Sequence, residues 1–207
     1  MVANTDSLTS GKLFIKGMEP HLLNKDELAD FRRTHLGFVF QQFHLLDTLT
    51  IAENMVLPLT LANASVKEME QKLATMLERL GLSEHSHKRT YEISGGQAQR
   101  AAIGRALIHQ PNLVLCDEPT GNLDSKATKD VLNLLTDLKR EMGTTILMVT
   151  HDAEAASYCD RILFLKDGHI YNELYKSNNR YAFYEQISNV LIAMGGDDDD
   201  VSAVRFS

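Results

Sequence analysis

An α/β fold, with a parallel sheet buried between helices, is what the residue pattern of this chain specifies. Three observations carry that expectation. Its strand segments, Leu36–Phe40, Leu113–Cys116, Thr144–Thr150 and Ile162–Leu165, are apolar throughout and do not alternate, as strands covered on both faces must be. Segments of helical spacing lie between them, which is the βα order of a parallel sheet. Hydroxyl or amide residues followed three positions later by Glu or Gln mark where those helices begin.

Taken in order, the residues up to Ser10 are polar and read as a loop, and Lys12–Lys16 reads as a short strand ended by Gly17. Asn24 with Glu27 has capping-box spacing and opens a helix through about Arg33. The strand ending at Phe40 delivers Gln41 just past its end. Thr50 with Glu53 and Ser65 with Glu68 are two more capping boxes, opening helices over Ile51–Leu57 and Val66–Leu80. Gly81 stops the second in the left-handed conformation. Leu73, Met76, Leu77 and Leu80 recur at helical spacing and are read as core packing.

After the polar connection Ser83–Thr90, Ser94 opens a helix that runs to about Ile108 and is closed off by Pro111. Then come a helix over Ser125 to about Glu141, a short helix from Ala153, and a hairpin through Asp167-Gly168 into His169–Tyr171. A last helix, Tyr181–Met194, closes the fold before the acidic run Asp197–Asp200, read as a solvated tail.

Composition narrows the function. With 43% hydrophobic and 24% charged residues the chain has the make-up of a globular protein. Its formal net charge of −7 argues against general nucleic-acid binding through a basic surface. Cys116 and Cys159 form neither a disulfide framework nor a metal-ligand spacing, which fits a reducing cytoplasm. No uncharged apolar stretch is long enough to cross a bilayer, so work at a membrane would require another chain to span it.

Three segments carry chemistry. The apolar strand Leu113–Cys116 delivers Asp117 and Glu118 at its C-terminal end, where ligands sit in open α/β sheets. A hard Mg²⁺ ion wants oxygen ligands, which suits Asp117, and Glu118 is then free to orient and deprotonate a water. A bare turn beginning with Asp-Glu is the competing reading. In Ser94-Gly95-Gly96-Gln97 the residues at a helix start expose backbone N–H groups to an anion, favoured by the helix dipole; a plain N-cap is the competing reading. His151, after the strand ending at Thr150, can donate to a phosphate or hold a water, although a single histidine is more often structural.

Together and in this order the segments resemble the ABC-type ATPase family. Ile93-Ser94-Gly95-Gly96-Gln97 is similar to its signature, Asp117-Glu118-Pro119-Thr120 to its Walker B, and Gly121-Asn122-Leu123-Asp124 to its D-loop. His151 resembles the H-switch and Phe40-Gln41 the Q-loop. Ile93 stands where the family usually has leucine, and Ala98 where related signatures often have glutamine.

The resemblance implies a P-loop NTPase-like cassette, with a helical signature subdomain over 43–108 and a C-terminal helix and tail over 178–207. It implies ATP and Mg²⁺ as cofactors, Glu118 as catalytic base, and His151 and Gln41 in the catalytic set. Asp117 and Gln41 would serve the metal. Ser94, Gly95, Gly96, Gln97 and Asp124 would bind nucleotide across a dimer of ATP-binding subunits. A membrane-spanning permease is the other implied partner, docking over Gln41–Leu59 and holding the chain to the inner face of the cell membrane.

The wording Glu118–Ser125, Phe31-Arg32-Arg33, and Leu45-Leu46-Asp47-Thr48-Leu49-Thr50 resembles ATP-binding subunits of macrolide, lipoprotein-release and antimicrobial-peptide exporters, closest to the bacitracin-type group. Repair and translation ATPases of the same superfamily are the alternative class, and their coiled coils, zinc modules or duplicated cassette are not visible.

One element of the resemblance is missing from the sequence. The phosphate cradle is G-x-x-x-x-G-K-S/T, and Gly11-Lys12, the single Gly-Lys pair, is followed by Leu13 and preceded by Asp6 at the first glycine position. The expectation is that the chain starts after the Walker A helix and is inactive alone. Unpaired strand edges would then make it poorly soluble or partly molten. The alternative is a non-hydrolysing partner that lends its signature to another subunit.

Overall fold

The computed structural model describes residues 8–195 and the backbone of 203–206. The Asp6 position and the acidic run Asp197–Asp200 lie outside the described residues. By compactness the chain forms two units, one of residues up to Val39 with Phe43–Leu115, the other of Phe40–Gln42 with Cys116–Ser207.

In the first unit, α1 (Lys25–His35) has the expected capping box: Asn24 Oδ1 accepts from the N–H groups of Asp26 and Glu27, and Glu27 accepts from Asn24 N–H. It runs one residue pair beyond the expected end and feeds β1 (Leu36–Val39), which lies beside the start of β2 (Leu113–Asp117). α2 (Ile51–Leu61) is likewise boxed by Thr50 and Glu53. It continues through Pro58, where the sequence reading ended it, because Met55 and Leu59 on either side are buried and its packing on α4 (Gly95–Leu107) holds the turn in register.

α3 (Val66–Leu80) ends at Gly81, φ 62°, as expected. Its opening differs: Ser65 caps Glu68 N–H, but the Glu68 carboxylate pairs with Lys72 at 2.9 Å and does not close a box. Met76, Leu77 and Leu80 are buried and Leu73 is half-buried. Each fully buried aliphatic chain of this kind contributes about 1.5–3 kcal/mol. β1 and α4 approach so closely at Gly37 that a Cβ there would lie 2.3 Å from the Ala106 carbonyl oxygen. Only glycine fits.

The strand expected over Lys12–Lys16 does not form. Ile15 pairs with Met18 alone, across a tight turn in which Lys16 and Gly17 both have positive φ. The chain therefore doubles back at the point where a strand would need to continue, and no neighbouring strand accepts it.

In the second unit, the end of β2 is followed across the sheet by β3 (Thr145–Thr150), β6 (Ala203–Phe206), β4 (Arg161–Lys166) and β5 (His169–Tyr175). α5 (Ser125–Met142) buries Val131, Leu132, Leu135 and Leu138, and the short α6 (Ala153–Ala156) packs with α7 (Arg180–Met194). The Asp167-Gly168 hairpin has positive φ at both residues, as such a turn demands, but β5 extends to Tyr175, beyond the expected Tyr171. An exposed edge lacks the burial that would reveal its length in sequence. α7 buries Phe183, Ile187 and Met194 and leaves Tyr181 and Ile192 exposed, a weaker amphipathic division than the sequence suggests.

β6 was not expected. It pairs antiparallel with both β3 and β4, so those two strands run in the same direction on either side of it, and their facing edges are hydrogen-bonded where bare edges were expected. No helix among the described residues is long and apolar enough to cross a membrane.

Candidate functional site

The second unit brings together residues from three separate segments. β2 runs apolar to Asp117 and then breaks at Glu118, whose φ of 44° is unusual for a non-glycine residue. The break is held by two main-chain hydrogen bonds: Glu118 N–H donates to Val149 O at 2.9 Å, and Gly121 N–H donates to Glu118 O at 3.1 Å. The first places the end of β2 beside the end of β3, so the two strands deliver their next residues to one place.

Those residues are Glu118 and His151. Glu118 Oε1 accepts from the His151 backbone N–H at 2.8 Å and lies 2.7 Å from His151 Nδ1. A carboxylate accepts only, so Nδ1 carries the proton in this contact, and the neutral ring then has Nε2 as an acceptor. Donation from Nε2 to a phosphate oxygen would require the doubly protonated ring. The carboxylate side chain is 18% exposed and the imidazole 72%, an inward base with an outward partner.

Gln41 joins through the turn after Glu118. Asn122 Nδ2 donates to Gln41 O at 2.9 Å, and Gln41 Nε2 reaches Asn122 Oδ1 at 3.4 Å, a long contact. Asp117 is exposed, with no ion pair or side-chain hydrogen bond among the described residues. No group of three or more His, Cys, Asp or Glu could form an all-protein metal cage among the described residues. One free carboxylate and one amide oxygen fit Mg²⁺, which keeps water and substrate phosphates as most of its ligands. Asp124 is occupied locally: Oδ1 accepts from Lys126 and Ala127 N–H at 2.9 Å, capping α5. Beneath the site, burial pushes the Cys116 thiol well above the ordinary cysteine range, as expected for a packed hydrophobe and not a nucleophile.

The first unit carries the signature turn. Ser94 Oγ accepts from Gln97 N–H at 3.3 Å and Gln97 Oε1 accepts from Ser94 N–H at 2.9 Å, a complete capping box. The Gly95 and Gly96 N–H groups, at the first two helical positions, have no acceptor within the helix and remain available to an anion. Ser94 is therefore an N-cap, and its capping leaves the amides of the two glycines open. Gln97 Nε2 also lies 3.0 Å from His85 Nε2.

Several residues that shape this unit escaped the sequence reading. Asn54 is fully buried: its Oδ1 accepts from Leu46 N–H at 2.7 Å, and Nδ2 donates to the carbonyls of Leu46, Leu49 and Thr50. The Arg105 guanidinium donates to the carbonyls of His44, at 2.5 Å, and Phe43, at 2.9 Å, both residues of positive φ, and burial lowers its pKa. These two side chains fix the loop between β1 and α2. A polar residue in the apolar helix Ile51–Leu61 was the available signal for Asn54; nothing in sequence pointed to Arg105.

The fold and the two motif-bearing turns define an ATP-binding cassette of the transporter type. The family profile described as "ABC transporter" matches residues 1–121, and the chain belongs to that family. It is 55% identical over 206 residues to the ABC transporter ATP-binding protein YxdL of Bacillus subtilis, covering all of this chain and 80% of that one. It is 44% identical to the bacitracin export ATP-binding protein BceA of Halalkalibacterium halodurans, over 97% of this chain and 79% of that one. Lipoprotein-releasing LolD of Legionella pneumophila, 40% identical over 83% of this chain and 75% of its own length, and macrolide-export MacB of Wolinella succinogenes, 41% identical over 80% of this chain and 26% of its own length, are also relatives. Among solved structures, the ATP-binding cassette MJ0796, dimeric and bound to ADP and Pi, aligns with TM-score 0.73 and 38% identity over 84% of this chain and 77% of that one.

Proposed function

We propose that this chain is the ATP-binding subunit of an ABC transporter that powers export or removal of a peptide antibiotic, macrolide or lipid-like substrate. The names of BceA, LolD and MacB support that range. The observation that carries the proposal is the contact between Glu118 and His151, two motif residues delivered by the ends of neighbouring strands.

In this reading Glu118 is the general base. His151 orients its carboxylate through two contacts to one oxygen, leaving the other oxygen for a water. Asp117 and the Gln41 amide oxygen are the ligands for Mg²⁺, which supplies charge neutralisation on the phosphates. Ser94 and the Gly95 and Gly96 amides bind the γ-phosphate held by a second subunit, consistent with the dimeric state named for MJ0796. Gln97 supports Ser94 through the capping box, and Asp124, now capping α5, acts across the same dimer. A membrane-spanning permease docks on the loop fixed by Asn54 and Arg105, which keeps the subunit at the membrane's inner face.

The sequence has no G-x-x-x-x-G-K-S/T, so we infer that the chain as given does not hydrolyse ATP alone. Each charge-assisted phosphate hydrogen bond contributes roughly 1.5–3 kcal/mol, and losing three weakens nucleotide binding by at least about a thousandfold. A second reading, a partner that lends its signature to another subunit, is favoured by the intact capping box at Ser94.

Nucleotide titration and ATPase assay separate the two. The chain alone should be inactive, and a form extended at its N-terminus by a strand–P-loop–helix segment should hydrolyse ATP. No hydrolysis in the extended form, with stimulation of a second cassette by the unextended chain, would select the partner reading.

A further inference from the structure

Gln97 closes the signature turn with one end of its carboxamide and turns the other end towards a different part of the first unit. Its Oε1 accepts from Ser94 N–H at 2.9 Å. A main-chain N–H only donates, so this contact decides which end of the carboxamide is oxygen and where Nε2 must point. There Nε2 lies 3.0 Å from Nε2 of His85. An amide nitrogen also only donates, so the imidazole accepts: the ring is neutral, bare at Nε2 and protonated at Nδ1. Nδ1 is buried with no hydrogen-bond partner among the described residues. The ring is thus oriented for its contact with Gln97 while its second nitrogen goes unsatisfied.

His85 is held in place by elements other than α4. It ends the short 3₁₀ turn Ser83–His85. Its N–H donates to Leu82 O at 2.9 Å, and its carbonyl accepts from Lys88 N–H at 3.0 Å. The chain on either side is tied to two helices. Leu82, fully buried, donates its N–H to Leu77 O of α3. Ile51 and Ala52, at the start of α2, donate theirs to Lys88 O and Ser86 O. A glutamine held at one atom keeps much of its torsional freedom. Held at both ends, one by its own helix and the other by a fixed turn, it does not.

We propose that His85 is a positioning residue for the signature turn. As a neutral acceptor it locks the Gln97 carboxamide, which holds Ser94 N–H and so fixes the helix start that carries the open Gly95 and Gly96 amides. His85 touches no nucleotide and acts only through Gln97. The inference rests on the reading of this turn as the γ-phosphate contact of a dimer.

The first test uses the unsubstituted full chain. Long-range proton–nitrogen NMR correlation should show the Nδ1–H tautomer at His85; the Nε2–H tautomer or a doubly protonated ring would overturn the contact. The second compares variants. His85→Leu removes the acceptor, whereas His85→Gln returns an oxygen close to the place of Nε2. Exchange of the Ser94 amide should rise about fivefold in H85L and fall back to within about twofold of the original in H85Q. Equal exchange in all three chains, or equal acceleration in both variants, would refute the role. In a P-loop-extended form, H85L should lower kcat about fivefold at constant KM for ATP, with recovery in H85Q. Turnover lost in Ser94→Ala but not in H85L would refute the positioning role and leave the phosphate reading standing. Turnover untouched by Ser94→Ala would refute the phosphate reading, with the His85 contact still judged by its tautomer and by Ser94 exchange.

Discussion

The signature turn of the first unit and the carboxylate end of the second both present polar groups just beyond an apolar element, yet they are built differently. Ser94 and Gln97 satisfy one another within a single helical turn. Glu118, His151, Gln41 and Asn122 come from separate segments, with Gln41 and Asn122 alone 81 residues apart, and their arrangement depends on a left-handed backbone at Glu118. Local chemistry makes the first robust and cheap to predict. The second exists only once the sheet has formed, and there a non-glycine residue holds a conformation that costs of order 1–3 kcal/mol. Strain of that kind persists where surrounding structure imposes it, as the Val149 and Gly121 hydrogen bonds do here.

The sharpest way to break the comparison is at Glu118. In a P-loop-extended form, Glu118→Gln should lower ATP turnover by about a hundredfold or more, the range lost with a general base. It should leave thermal stability nearly unchanged, because the amide can still accept from His151 N–H. Steady-state hydrolysis and thermal unfolding, measured on the same preparation, check both parts. A variant that retains turnover would remove Glu118 from the role of base and leave the His151 contact structural.

Next in size is Asn54→Ala. Its side chain satisfies one N–H and three carbonyls of the segment Leu46–Thr50 from a fully buried position. Removing it takes the side-chain partner from Leu46 N–H and Leu49 O, while Leu46 O and Thr50 O keep the main-chain N–H groups of Leu49 and Asn54; each group left unpaired in a part-buried place costs about 1–3 kcal/mol before water enters. A loss of about 2–3 kcal/mol in denaturant unfolding is expected. Amide exchange should rise first at Leu46. If stability is unchanged, the loop is not held by this side chain.

The same contrast explains how much was legible in the sequence. The parallel sheet, α1 to α7 and the motif positions could be read because caps, spacing and apolar runs are local signals. The capping boxes at Asn24 and Thr50 were correct to the residue. The Ser65 box was only half formed because Lys72, one turn on, offers Glu68 a charge partner that the motif does not consider. Pro58 misled for a related reason, since packing on α4 outweighs the local break. The Lys12–Lys16 strand and β6 show the limit: a strand is defined by its partner, and the first has none while the second finds two far away in sequence. For the site, the identity of each motif residue was readable, but the tautomer imposed on His151, the Gln41–Asn122 pair and the employment of Asp124 as a cap were not.

Ser94→Ala tests the local side of the comparison. Loss of an N-cap serine costs about 1 kcal/mol. The Gln97 carboxamide can still accept from the residue-94 N–H, so half of the box survives. The helix start should fray without the unit unfolding, and amide exchange should increase at Gln97 while Val149, far along the chain, is unaffected.

The smallest effect on stability, and the most informative about the non-local side, is expected from Gly121→Ala. A Cβ at this position would lie 2.8 Å from Gln41 Nε2 and 3.1 Å from its Cδ, so the obstructed group is the far end of a flexible side chain and can move. Stability should change by no more than about 0.5 kcal/mol, as for substitutions whose neighbours can yield. The shift must be taken up by Gln41, whose amide contact to Asn122 is already long at 3.4 Å and is the first to be lost. The Asn122 donation to Gln41 O, which is main chain and shorter, should survive. In the extended form this predicts a fall in turnover with little change in nucleotide affinity, because the side chain that is displaced is assigned to the metal and water and not to the base. If turnover and affinity fall together, Gln41 is a general support of the nucleotide pocket; if neither falls, its side chain is a bystander and the non-local cluster reduces to Glu118 and His151.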